Sequence, residues 1–179
     1  MTLGLTSLGI FHTAISLVAL ATGLISLIRD REISPVNRTG KIYIVTTVIT
    51  CVTGFGIFQH GGFGKAHMLG IITLAVLGVA AVAGKTRSFG RASRYVETIC
   101  YSATFLFHMI PAVTETSTRL PAGAPLVADA EGPALQTANQ VLLALFLIAA
   151  ALQVFRLKAG SRQAAAPEPE TARGAAFTK

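Results

Sequence analysis

The chain has 179 residues, 52% of them apolar and only 13% charged, with a net charge of +7. Soluble domains carry about 25% charged residues. Here the charges cluster and leave long uncharged runs, which excludes an ordinary soluble domain and predicts a polytopic membrane protein. The basic excess proves to be topological once its positions are read, so a nucleic-acid partner is not expected.

A bilayer core of ~30 Å needs about 20 apolar residues at ~1.5 Å per residue. Five stretches qualify: 7–28, 42–59, 66–84, 95–115 and 138–155. The expected fold is an all-α transmembrane helical bundle, a four-helix core with a peripheral fifth helix, over residues 1–158.

The first span carries His12, Ser16, Ala19, Gly23 and Ser26 at steps of four and three, so all five share one helix face. Small and hydroxyl residues favour helix contacts in hydrocarbon, and such a stripe is expected to turn inward. No Lys or Arg precedes this span and its apolar run is long. It is therefore expected to stay as a membrane helix rather than serve as a cleaved secretion signal.

The second span is the shortest, and its inward stripe is read back from His60 as Gly56, Thr53, Ile49 and Thr46. The turn HGGFGKAH joins it to the third, where His67, Gly70, Gly78 and Ala81 share a face interrupted by Leu74. The fourth span bears Glu97, Tyr101, Thr104, His108, Pro111 and Glu115 along one line. Ionisable groups on a lipid-facing surface cost a few kcal/mol, so this stripe is expected to look into the bundle or a wet cavity. The fifth span is aliphatic between Asn139, Gln140 and Gln153. An outer loop follows the fourth span over 116–137. The sequence after 158 is Ala-, Pro- and Glu-rich with too little apolar content to pack, so 159–179 is expected to be a disordered cytoplasmic tail.

The loops set the orientation. Arg29, Arg31, Arg38 and Lys41 follow the first span; Lys85, Arg87, Arg91 and Arg94 follow the third; Arg156, Lys158, Arg162, Arg173 and Lys179 follow the fifth. If each span crosses once, 13 of the 15 basic residues lie on one side, leaving only Lys65 and Arg119 on the other. Basic residues are retained in the cytoplasm, so the amino terminus is expected outside and the carboxyl terminus inside. Tyr43 and Tyr95 then fall at cytoplasmic span ends, where interfacial aromatics belong.

With that orientation His12, His60, His67 and His108 all lie in the outer half, one on each core helix. Neutral imidazole suits Zn, Cu and Fe, and bundles build cofactor sites from inward residues on facing helices. One reading is therefore a b-type haem, or a transition metal ion, held by histidines drawn from His12, His67 and His108, with His60 next. Lys65 and Arg119 would pair with haem propionates. The plainer alternative is that His60 and His67 cap their helices and His12 and His108 are hydrogen-bonded packing residues. Glu97 could relay protons, although pairing with Arg94 three residues away is the simpler role. Cys51 and Cys100 form no CxxC pattern and read as small packing residues. No phosphate loop, HExxH motif or Ser-His-Asp set is present.

The run from PVNRTGKIY through FGKAHMLGIITLAVLG resembles a family of small bacterial polytopic membrane proteins classed as a domain of unknown function. His12 matches an early-helix histidine of that family, Arg38, Gly40, Lys41 and Tyr43 its basic loop, and His67 the histidine opening the next span. Asn37 stands where family members often carry a histidine, so any role of that histidine is absent here. The resemblance covers about the first 85 residues. It implies a multi-pass protein of the bacterial inner membrane and no particular activity.

Two functions follow as expectations. One is a redox or cofactor-binding membrane subunit with a single haem or metal ion, engaged in electron transfer. The other is a non-enzymatic channel or carrier for a small solute, or an accessory subunit of a membrane complex, with a homo-oligomer or membrane-protein partner. A path needs polar groups at both depths, and on sequence alone only the fourth span supplies them.

Overall fold

The computed structural model describes residues 6–58 and 62–164. His60, and the part of the expected tail beyond residue 164, lie outside the described residues. Five α-helices account for most of the rest: α1 (Ser7–Arg29), α2 (Arg38–Gly54), α3 (Lys65–Thr86), α4 (Ser93–Arg119) and α5 (Pro133–Ala164). A short 3-10 turn at Gly90–Ala92 leads into α4. No strand occurs among the described residues.

Four of these helices, α1, α3, α4 and α5, are long and apolar enough to cross a membrane. At 17 residues α2 spans about 26 Å, just short of a ~30 Å hydrocarbon core. It starts earlier than its apolar run, because the Asn37 side chain accepts the Gly40 N–H at 2.7 Å and caps the helix before Arg38. It also ends earlier. Beyond Gly54 the chain tightens, with Gly56 N–H donating to Thr53 and Ile57 N–H to Gly54. At the other end of the chain α5 continues to Ala164, into the stretch expected to be tail.

Packing follows chain order: α1 lies on α2, α2 on α3, α3 on α4, and α4 is the helix that α5 packs on among the described residues, while α1 also reaches α4. The core is made of Ala19, Ile33, Tyr43, Leu77, Ala80 and Tyr101. Around it the outward faces are aliphatic. Leu17, Ile28, Val45, Val52, Leu147 and Phe155 are all more than half exposed, the expected state for a surface solvated by acyl chains. Ile42, Val45, Val48 and Val52 give α2 the same kind of outward stripe.

Two sequence expectations are corrected here. Tyr43 is completely buried rather than interfacial, because its ring fits over Gly23 of α1, where a Cβ would come within 2.8 Å. The buried residues of α3 are His67, Thr73, Leu77, Ala80 and Ala83; of the expected stripe His67 is buried, Gly70 and Ala81 are half-buried, and Gly78 is exposed.

Candidate functional site

A column of hydroxyls and imidazoles runs between α1, α2 and α4. At its middle the Tyr43 hydroxyl lies 2.8 Å from Thr104 Oγ1. Thr104 already donates to the Tyr101 carbonyl at 2.7 Å, so Tyr43 is the donor. One turn further along α4, His108 packs its ring 6.3 Å from that of Tyr43. One turn further along α2, Thr47 is completely buried. Among the described residues neither Thr47 Oγ1 nor His108 Nε2 meets a partner at hydrogen-bonding geometry. Buried polar atoms left unpaired are costly, and both lie beside Tyr43, His108 against its ring and Thr47 one turn along α2.

The column continues toward the end of the bundle that holds the amino terminus of α1. Ser16 Oγ donates to the His12 carbonyl at 2.7 Å and lies 3.5 Å from Thr50 Oγ1. His12 Nδ1 is 3.0 Å from Thr53 Oγ1. Thr53 spends its own hydrogen on the Ile49 carbonyl at 2.8 Å, so it must accept from His12. That assigns the proton of a neutral ring to Nδ1 and leaves a lone pair on His12 Nε2. Glu115 and His108 both lie within electrostatic range of His12. Glu115 itself is exposed and paired with Arg119, one turn away on α4.

Toward the opposite end Tyr101 and Ser102 are buried beneath Thr104. Ser102 meets the Gln153 amide of α5 at 2.9 Å, and Gln153 Nε2 also donates to the Arg31 carbonyl at 2.9 Å. Beyond them Arg94 bridges two carboxylates, Glu32 at 2.6 Å and Glu97 at 3.3 Å. Thr98 is 3.4 Å from Glu32. The Glu97 carboxylate lies across α3 at Gly84, where a Cβ would come within 2.5 Å of it.

His67 is held by different contacts. Its Nδ1 accepts the Gly64 N–H at 3.2 Å, so it caps α3. Phe58 and Phe63 stack on its ring at 5.1 and 5.2 Å between centroids. With Nδ1 as acceptor, a neutral ring carries its proton on Nε2, which is buried and has no partner among the described residues. Ligation through Nε2 would require the opposite tautomer and the loss of the cap. Lys65 pairs with Glu131 and Arg119 with Glu115, so both cations expected to hold propionates have carboxylate partners. Among the described residues no three His, Cys, Asp or Glu side chains gather as a metal site.

The inward stripe of α4 and the His12 stripe of α1 thus meet, but through residues sequence reasoning missed. Tyr43, Thr47 and Thr50 recur at steps of four and three on α2, a signal present in the sequence and passed over when the stripe was read back from His60. Glu32 was missed, and the partners of Gln153 were not foreseen, because both sets of partners lie far away in the chain. Comparison with models of protein families, with curated proteins and with solved structures gives no match. The functional reading therefore rests on the residues themselves.

Proposed function

We propose that this chain is a non-enzymatic inner-membrane protein that passes protons between the two faces of the bilayer. Its five helices all cross, with α2 the shortest crossing, the amino terminus outside and the carboxyl terminus cytoplasmic. The outward valines of α2 and the segregation of basic residues support that arrangement. The observation that carries the proposal is continuity. Thr98, Tyr101, Thr104, Tyr43, Thr47, His108 and Thr50 are buried, Ser16 and His12 are half-buried, and Glu97 and Glu115 stand toward the two ends of α4, so polar side chains recur along the bundle. Polar groups inside a membrane bundle are costly and mark ion and proton pathways. Thr47 Oγ1 and His108 Nε2, without partners among the described residues, are the atoms that internal water would bond to complete the chain. Purified protein in sealed vesicles with a trapped pH dye tests this. Dissipation of an imposed pH gradient faster than in protein-free vesicles is expected; equal rates contradict it.

A second reading is favoured by the Nε2 atoms of His12 and His108. The first has a lone pair set by its tautomer, and the second is buried with no partner among the described residues. These two rings, rather than His67, would hold a single haem or metal ion, and the protein would then be a redox subunit. An absorption spectrum with metal analysis on protein from haem-sufficient cells tests it. A Soret band lost in His108→Ala supports this reading, and a colourless, metal-free protein removes it.

A further inference from the structure

We infer that the cleft between the end of α3 and the start of α4 binds a phosphate-bearing anion. The cleft has a volume of about 340 Å3 and is lined by Arg87, Arg91, Arg94, Ser93, Gly84 and Glu97, among others. Its charge is unbalanced. Arg94 is neutralised by Glu32 and Glu97, but Arg87 and Arg91 have no carboxylate partner among the described residues.

The neighbouring cleft sharpens the contrast. It is lined by Arg31, Arg94 and Arg156 but also by Asp30 and Glu32, so its charges are closer to balance. Arg94 forms part of both walls, pairing with Glu32 of the second cleft and Glu97 of the first. The backbone builds the concavity. Arg87 ends α3 in a left-handed conformation at φ 50°, and Gly90 turns the chain again at φ 54° before the 3-10 turn. Two turns so close together fold the connection back on itself and bring Arg87 and Arg91 to the same cleft.

Guanidinium groups recognise phosphate oxygens through paired N–H donors, and basic pockets between helices at a membrane surface take anionic headgroups. The cleft lies at the ends of two helices long enough to cross, at the depth of the headgroup layer. The phosphate could belong to a phospholipid or to a free solute, and the two sources are separable.

The detergent-purified full chain is titrated with phosphatidylglycerol, phosphatidylcholine and sodium phosphate while the thermal midpoint Tm is followed. Stabilisation by phosphatidylglycerol but not by phosphatidylcholine or phosphate identifies a lipid site. A rise with inorganic phosphate as well identifies a site open to free anions. In Arg87→Gln with Arg91→Gln the affinity falls about thirtyfold, near 2 kcal/mol at about 1 kcal/mol per Arg. Lys158→Gln with Arg162→Gln removes the same charge elsewhere and leaves the affinity unchanged. Should the double cleft variant fail to fold, Arg91→Gln alone decides, with about a fivefold loss expected. Equal stabilisation by both lipids without a phosphate response overturns the proposal. So does unchanged affinity in the cleft variants, or an equal loss in the Lys158 and Arg162 variant.

Discussion

Tyr43 and Thr104 join α2 to α4 through one buried hydrogen bond of 2.8 Å, across 61 residues of sequence. The Tyr43 ring also touches α1 at Gly23 and His108 on α4, so a single side chain ties three helices together. Hydrogen bonds between membrane helices couple by about 0.6 kcal/mol on average and up to about 1.7. Tyr43→Phe and Thr104→Val, singly and together, should give a coupling energy within that range by unfolding in mixed micelles. Additive effects would mean the two hydroxyls do not interact.

Glycine size matters at two places. A Cβ on Gly23 would meet Phe105 at 2.6 Å and Tyr43 at 2.8 Å, and both rings can shift slightly. Gly23→Ala is therefore expected to cost about 1–3 kcal/mol, the usual range for overpacking. A Cβ on Gly40 would run into the Ser34 carbonyl, which is backbone and cannot step aside. Gly40→Ala should be the more damaging of the two in the same unfolding assay. A smaller loss at Gly40 than at Gly23 would contradict the packing described at the α1–α2 loop.

Whether α2 crosses the bilayer can be read by labelling. With Cys51 and Cys100 replaced by alanine, Asn37→Cys and Phe58→Cys place single thiols at opposite ends of α2. A membrane-impermeant maleimide added to right-side-out spheroplasts should label position 58 and spare position 37. Labelling of both from one side would make α2 a re-entrant or surface helix.

One pH response follows from Arg29 and Asp30, just past the end of α1. Arg29 donates two hydrogen bonds to the Asp30 carboxylate, at 2.9 and 2.8 Å. These bonds, and secondarily its charge, hold the Asp30 carboxyl below its ordinary value of 3.8. A lowered folded-state value means the unfolded chain takes up the proton first as the pH falls. The stabilisation is complete above about pH 4, the unfolded value, and is lost as the pH drops through the folded one. Arg29→Gln should move the Asp30 titration upward in a carboxyl-carbon NMR experiment. An unmoved titration would show that the pair does not form in solution.

Hydropathy and residue size made most of this fold legible. The expected first span, 7–28, coincides with the helix α1 almost to the residue, since an uncharged apolar run without Pro, ended by Arg29, favours one unbroken helix. The shift of α2 was less legible, because the Asn37 cap decides its start and a cap is a hydrogen bond rather than an apolar pattern. Burial of Tyr43 was missed for a similar reason. A tyrosine near a basic loop reads as interfacial unless the glycine that makes room for it, Gly23 on another helix, is known to lie opposite. The line of Tyr101, Thr104 and His108 on α4 was visible as a polar stripe in an apolar span, and all three side chains are buried. What the stripe faces was not visible, because the partners on α2 alternate with valines and isoleucines and carry little polar weight on average. The ion pairs of Lys65 with Glu131 and of Arg94 with Glu32 depend on chain reversals that no local pattern encodes.

The polar column is tested most directly by proton flux through sealed vesicles holding the wild-type chain or His108→Phe, which fills the imidazole site with hydrocarbon. The wild type is expected to collapse an imposed pH gradient well ahead of protein-free vesicles, and His108→Phe, folded and inserted to the same level, to fall back to the protein-free rate. Wild-type vesicles as tight as empty ones, or a His108→Phe flux equal to wild type, would contradict a proton path along this line of side chains.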